Sequence, residues 1–126
     1  TYADTAKRSL LGVRAETLRA HGAVSEETAG EMAEGARRSF GANLGLAVTG
    51  IAGPEGGTPD KPVGTVCFGL ASGSGVVTRR YQLWGTRDWV KLLASQVALD
   101  WIRRHALGLP VTDSRLFRPS GRYPGR

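Results

Sequence analysis

The stretch AVTGIAGPEGGTPDKPVGTV (47–66) constrains this chain more than any other. It joins two apolar runs, LGLAVTGI (44–51) and GTVCFGLAS (64–72). No polar residues alternate with the apolar ones in either run, so both read as strands covered on both faces. A plain hairpin links two strands with roughly two to five residues, and the segment between Thr49 and Val63 is roughly twice that. Either it is an irregular connection stiffened by Pro54, Pro59 and Pro62, or it brings backbone N–H groups close to a ligand. The second reading uses Gly50, Gly53, Gly56 and Gly57, where small residues leave room for such an approach. No helical pattern follows the loop, so it is neither a P-loop nor a dinucleotide fingerprint.

The remaining elements follow from periodicity and caps. GVVTRRYQL (75–83) alternates better and carries Arg79 and Arg80, which places it toward a sheet edge; SGSG (72–75) makes the turn before it. Ahead of the strands, Asp4 caps a short helix through Leu11 that Gly12 ends, and a second turn over 15–20 stops at Gly22. Ser25 caps a third helix with Glu26 and Glu27 in its first turn, and Val24 is placed to staple onto Ala29. Its apolar face is Ala29, Met32, Ala33, Ala36 and Phe40, and Gly41 closes it. Thr86 caps the last helix, whose broad core-facing stripe is Val90, Leu93, Ala94, Val97, Ala98, Trp101 and Ile102, with Gly108 at its end. Helices covering both faces of a sheet make an α/β layered domain. Three strands are few for such a domain, and the chain opens on Thr1 rather than Met, so the expectation is a domain incomplete at its N-terminus.

Length and composition set the outer limits. A chain of 126 residues, 40% apolar and 22% charged, holds one globular domain at most. No run reaches the ~18 apolar residues of a membrane span, so no membrane partner is expected. The single Cys67 fits a reducing cytoplasm and excludes an internal disulfide. With only His21 and His105 beside it, the chain offers no zinc cluster. Half of the net charge of +6 lies in the segment 109–126, where Arg115, Arg118, Arg122 and Arg126 face only Asp113, and the body 1–108 carries an ordinary +3. That segment has three prolines, two glycines and no apolar periodicity, and reads as a disordered basic tail after a domain spanning 1–108. Its arginines are not interleaved with stacking aromatics, which argues against a nucleic-acid partner.

Four features could carry chemistry: the glycine loop, Arg87, Lys7 and the tryptophans. Arg87 in a helix first turn opposes the macrodipole unless an anion sits there, in which case guanidinium and helix end hold the anion together; the plain alternative is a surface arginine beside Asp88. Lys7 also sits early in a helix, where the dipole disfavours the ammonium and moves the amine toward service as a base; taken alone it reads as a solvated side chain. Tyr2 reads as a packing residue at a strand end. Trp101 lies on the core stripe, and core packing is the expected place for Trp84 and Trp89 as well, although they could wall a pocket for a flat ring.

Several segments match a known family in order: TYADTAK near the start, GAVS (22–25), TGIAGPEGG (49–57), KPVGTV (61–66) and the TRD that opens the last helix. Over residues 1 to about 107 the chain closely resembles the C-terminal domain of the CinA family, whose stand-alone members are nicotinamide-nucleotide amidohydrolases. The resemblance implies a three-layer α/β/α domain that hydrolyses the carboxamide of nicotinamide mononucleotide to nicotinate mononucleotide and ammonia, a step in pyridine-nucleotide recycling, with no cofactor. It implies a small nucleotide substrate and a homodimer as partners. Lys7 falls on the family's base, Tyr2 on its associated tyrosine and Arg87 on its arginine. Thr49, Gly50, Ala52, Gly53, Gly56 and Gly57 would line the pocket. The family's nucleophile is a serine in an ESCTGG-like turn, and no such segment occurs in these 126 residues; Ser9 and Ser25 do not match it. The chain therefore resembles such a domain without its N-terminal third, which leaves a non-catalytic remnant or interaction module as the alternative.

Overall fold

The computed structural model describes residues 4–112. Their order is α1 (Asp4–Leu11), α2 (Ala15–His21), α3 (Glu26–Ser39), β1 (Gly45–Gly50), β2 (Thr65–Ser72), β3 (Gly75–Gln82) and α4 (Arg87–Ala106). The class is mixed α/β with a three-stranded antiparallel sheet in the order β1-β2-β3. No described helix is long and apolar enough to cross a membrane. The described residues fall into two compact units, one within 1–49 and 67–79, the other within 50–66 and 80–112.

Caps and glycines stop the helices where local chemistry dictates. Ser25 accepts a hydrogen bond from the Thr28 N–H (3.1 Å) at the start of α3, and Thr86 accepts one from the Trp89 N–H (3.3 Å) at the start of α4. Gly12, Gly22, Gly41 and Gly108, each just beyond a helix, all hold positive φ, a conformation that costs glycine nothing.

In the first unit, Val13, Met32, Ala33, Ala47 and Ala71 form a buried cluster, with Leu11 and Leu18 packed against it. α3 lies close on the sheet because small residues meet there. A Cβ on Gly69 of β2 would stand 2.5 Å from the Ala29 carbonyl oxygen. Phe40 departs from the expected apolar face: it is the C-cap of α3 rather than part of its last turn, and is 82% exposed.

Glu31 ties α2 to α3. Its carboxylate accepts from the Arg14 backbone N–H (2.8 Å), the Thr17 hydroxyl (2.5 Å) and the Arg14 guanidinium (3.3 Å). Burial pushes the carboxyl up, but these three donors outweigh it and hold the group below its ordinary value of 4.5. A carboxylate whose folded value is depressed contributes stability above its unfolded value, and that contribution is lost as the pH falls through the folded one. Glu31→Gln is therefore expected to cost about 1 kcal/mol at neutral pH. The gap between variant and parent should narrow as the pH drops below 4.5, as read by urea unfolding at a series of pH values. A gap independent of pH would contradict this account.

β2 is buried along nearly its whole length, as its central place in the sheet requires. β1 corrects the reading of a strand covered on both faces. It is an edge strand in which Gly45, Ala47 and Thr49 are buried, while Leu46 is half-buried and Val48 and Gly50 are exposed. β3 forms the other edge, as its arginines suggested.

In the second unit, α4 buries Val90, Leu93, Val97 and Trp101. Trp101 meets Tyr81 edge-on, with ring centroids 6.4 Å apart at 64°, and its indole N–H donates to the Tyr81 hydroxyl (3.3 Å). The expected stripe is broader than the buried one. Ala94 and Ala98 are half-buried, Ile102 is 37% exposed, and the helix buries Asp100 in its place. Asp100 accepts from Arg103 through Oδ1 (3.0 Å). Of the segment read as a tail, residues 109–112 are described: Arg104 donates to the Pro110 carbonyl (2.7 Å) and Val111 is buried. The remainder, 113–126, lies outside the described residues.

Candidate functional site

The loop between β1 and β2 is ordered by bonds that pinch its base. Ile51 N–H donates to the Thr65 carbonyl (2.9 Å) and Gly64 N–H to the Ile51 carbonyl (2.7 Å), so the strand ladder runs on past the ends of β1 and β2. At the tip, Thr58 and Lys61 close a turn around Pro59 and Asp60: Thr58 N–H donates to the Lys61 carbonyl (2.9 Å), and Lys61 N–H donates to the Thr58 hydroxyl (3.0 Å). Gly53 adopts φ +84 and its peptide bond to Pro54 is cis. A Cβ there would also run into Val63, so both backbone and space require glycine. Gly57 is excluded from carrying a side chain by space alone, since its Cβ would stand 2.7 Å from the Val63 nitrogen.

Within the second unit, side chains from β3 and α4 brace this loop. The Gln82 amide donates to the Val63 carbonyl (2.8 Å). The fully buried Thr65 hydroxyl shares its proton between the Pro62 carbonyl (2.6 Å) and Gln82 Oε1 (3.1 Å). Arg80 donates to the Asp60 carbonyl (2.7 Å), and Arg87 Nη1 donates to the Gly53 carbonyl (3.1 Å). Arg87 is thus pinned by one N–H to the glycine loop while its side chain stays exposed, and a guanidinium has further donors with which to hold an anion. Ala52 is half-buried; Gly50, Gly56 and Gly57 are exposed at the loop surface.

Gln82, Thr65 and Arg80 were not singled out by sequence reasoning. The one available signal was a lone amide in a strand otherwise ending in Tyr81 and Leu83. What it holds lies 19 residues away and no periodicity announces it.

The first unit contains Lys7 and Thr49. Lys7 overturns the reading of a solvated side chain: it is 3% exposed in α1. Gly12 turns the chain behind it so that the Val13 N–H returns to the Lys7 carbonyl (3.0 Å). Thr49 is 7% exposed, and its hydroxyl donates to the Ala23 carbonyl (2.8 Å), joining the TGIAGPEGG and GAVS segments. Its proton is therefore committed within the protein. Ser25 is likewise committed, accepting from Thr28 and donating to the Gly22 carbonyl (3.0 Å). Tyr2 lies outside the described residues.

Trp84 and Trp89 correct the expectation of core packing, being 52% and 46% exposed. Trp84 follows β3 at a turn where Gly85 takes φ +99, and Trp89 points away from the buried row of α4. A cavity of about 650 Å³ in the first unit is lined by Glu26, Glu31, Gly30, Val76 and Thr78 among others, and none of the described candidate residues lines it.

Comparison with known proteins agrees with these motifs. The CinA C-terminal domain family matches residues 1–106. The chain is 55% identical over 117 residues to a putative competence-damage inducible protein of Symbiobacterium thermophilum, covering 86% of this chain and 28% of that protein. It is 52% identical over 107 residues to a CinA-like protein of Geobacter metallireducens, covering 85% of this chain and 26% of that protein. It thus spans about a quarter of the length of these curated relatives. Among solved structures it superposes on the competence/damage inducible protein CihA of Agrobacterium tumefaciens with a TM-score of 0.80 at 42% identity, covering 86% of this chain and 66% of that one. A CinA superfamily protein of Klebsiella pneumoniae gives 0.79 at 39% identity, with 85% and 68% covered.

Proposed function

The chain belongs to the CinA C-terminal domain family, and on that premise we propose that it serves the hydrolysis of the carboxamide of nicotinamide mononucleotide, to nicotinate mononucleotide and ammonia. The observation that carries this reading is Arg87, bonded through one N–H to the Gly53 carbonyl in the glycine loop and exposed beyond it. In that position it is suited to hold the 5′-phosphate of a nucleotide against backbone N–H groups.

Hydrolysis of an amide without metal takes a nucleophile, a base and donors for the oxyanion. The base removes the nucleophile's proton as the nucleophile attacks the carboxamide carbon. That proton goes to the departing nitrogen, ammonia leaves, and water then releases the carboxylate. Lys7 is assigned the base's part and Tyr2 an associated one. Gly50, Ala52, Gly53, Gly56 and Gly57 are assigned to the substrate-facing loop, and Thr49 to its anchoring at the end of β1. No ESCTGG-like segment occurs in the 126 residues, and Ser25 is occupied as a cap. The second reading is that these residues bind the nucleotide without hydrolysing it.

One pair of measurements separates the readings. Tryptophan fluorescence titration with nicotinamide mononucleotide is expected to show binding that Arg87→Ala weakens by about 10- to 100-fold. Binding of nicotinamide riboside, which lacks the phosphate, should be little changed by the same substitution. Ammonia release from the bound nucleotide supports the hydrolase, and binding without release supports the second reading. No binding, or equal losses for nucleotide and riboside, would sink the assignment of Arg87 to the phosphate.

A further inference from the structure

Val63 is wedged against the glycine loop at two points. A Cβ on Gly53 would run into its side chain, and one on Gly57 would stand 2.7 Å from its nitrogen. Packing this close leaves no slack, so a shift of Val63 displaces Gly53. Gly53 in turn offers its carbonyl to Arg87 (3.1 Å). Gln82 is what holds Val63. Its side-chain amide donates to the Val63 carbonyl (2.8 Å) and, at greater length, to that of Leu83 (3.4 Å). Alternation along the strand turns Arg80 and Gln82 toward loop carbonyls, while Tyr81 and Leu83 are buried. The Leu83 N–H fixes the register by donating to the Gly64 carbonyl (2.8 Å), one residue beyond Val63. The amide's orientation is fixed as well. The Val63 and Leu83 carbonyls can only accept, so they require its nitrogen, and the Thr65 hydroxyl (3.1 Å) can donate to its oxygen. Turned over, the amide would set its oxygen against two carbonyls.

We propose that Gln82 is a positioning residue for the anion-holding end of the loop: through Val63 it keeps the Gly53 backbone where Arg87 and a ligand phosphate meet. This rests on the reading of Arg87 given above. Gln82 touches no ligand itself. It is the far end of a chain of contacts, Gln82 to Val63 to Gly53 to Arg87, that lies within the second unit. A brace that only stabilised the fold would act on every ligand alike. A positioning residue acts on the phosphate and does so through Arg87.

Gln82→Met keeps the length of the side chain and removes both hydrogen-bonding groups. Two measurements on the full chain test the proposal. In calorimetric titration the variant is expected to bind nicotinamide mononucleotide about 5- to 10-fold more weakly, the effect of one lost hydrogen bond. Nicotinamide riboside, without the phosphate, should bind about as before. In an Arg87→Ala background the same substitution should cost less than ~2-fold, because the two residues act through one contact. Amide hydrogen exchange is expected to quicken about 5- to 10-fold at Ile51 and Gly64, at the base of the loop, and to stay unchanged at Val90 in α4. Equal losses for nucleotide and riboside, or a loss that adds in full to that of Arg87→Ala, would overturn the proposal, as would exchange at Ile51 and Gly64 that matches the parent. A parent that binds no nucleotide removes the reading of Arg87, and exchange then decides alone: quickened, Gln82 holds the loop; unchanged, it does not. If circular dichroism finds Gln82→Met unfolded, Thr65→Val, which frees the amide to turn, goes through the same measurements with the same expected directions.

Discussion

Trp101→Ala is expected to lower the unfolding free energy by ~3–5 kcal/mol, as large-to-small changes of a fully buried tryptophan do. Trp101 has no exposed surface, sits edge-on to Tyr81 and donates its indole N–H to the Tyr81 hydroxyl. Truncation removes the ring's dispersion contacts, leaves a cavity that the surrounding side chains fill only in part, and deletes a buried hydrogen bond. Phe40→Ala is the matched control. It removes an aromatic of comparable size that is 82% exposed, so the change should stay within about 0.5 kcal/mol. Urea unfolding followed by circular dichroism reads both. Equal losses would mean that the inward row of α4 is not Val90, Leu93, Val97 and Trp101.

The second large effect has a sign that helix propensity alone would get wrong. Gly35 lies inside α3, where replacing glycine by alanine ordinarily gains about 1 kcal/mol. At this position a Cβ would collide with the Leu11 carbonyl oxygen at the end of α1. Backbone cannot rotate aside as a side chain can, so the helices must part, and overpacking of that kind costs ~1–3 kcal/mol or more. Gly35→Ala is therefore expected to destabilise by about 2 kcal/mol net. Gly30, in the same helix, would place its Cβ 3.1 Å from a Thr78 methyl and 3.4 Å from a Val76 methyl, both side-chain atoms able to yield. Gly30→Ala should change stability by less than about 1 kcal/mol in either direction. A stabilising Gly35→Ala would show that α1 and α3 do not approach through their backbones.

Much of this protein was legible in the sequence because the signals are local. The caps at Ser25 and Thr86, the glycines closing α1, α2, α3 and α4, the turn at 72–75 and the positions of all three strands depend on neighbours a few residues away. Each is where the sequence reading put it, within a residue or two. The motifs that mark the CinA C-terminal domain family are local strings as well, and the family match covers the same residues.

Only the tertiary structure decided which side of an element faces what. Periodicity could not tell that β1 is an edge strand, that Lys7 is buried, or that Trp84 and Trp89 are not. It also could not tell that α4 buries Asp100 and leaves Leu92 and Leu99 outside. The loop between β1 and β2 shows the reason most directly. Its glycines announced a tight backbone, but its geometry is held by Gln82, Arg80 and Arg87, partners 19, 20 and 34 residues distant from the carbonyls they bind. Hydrogen bonds across such separations depend on how the elements pack, and no pattern of neighbouring residues records them.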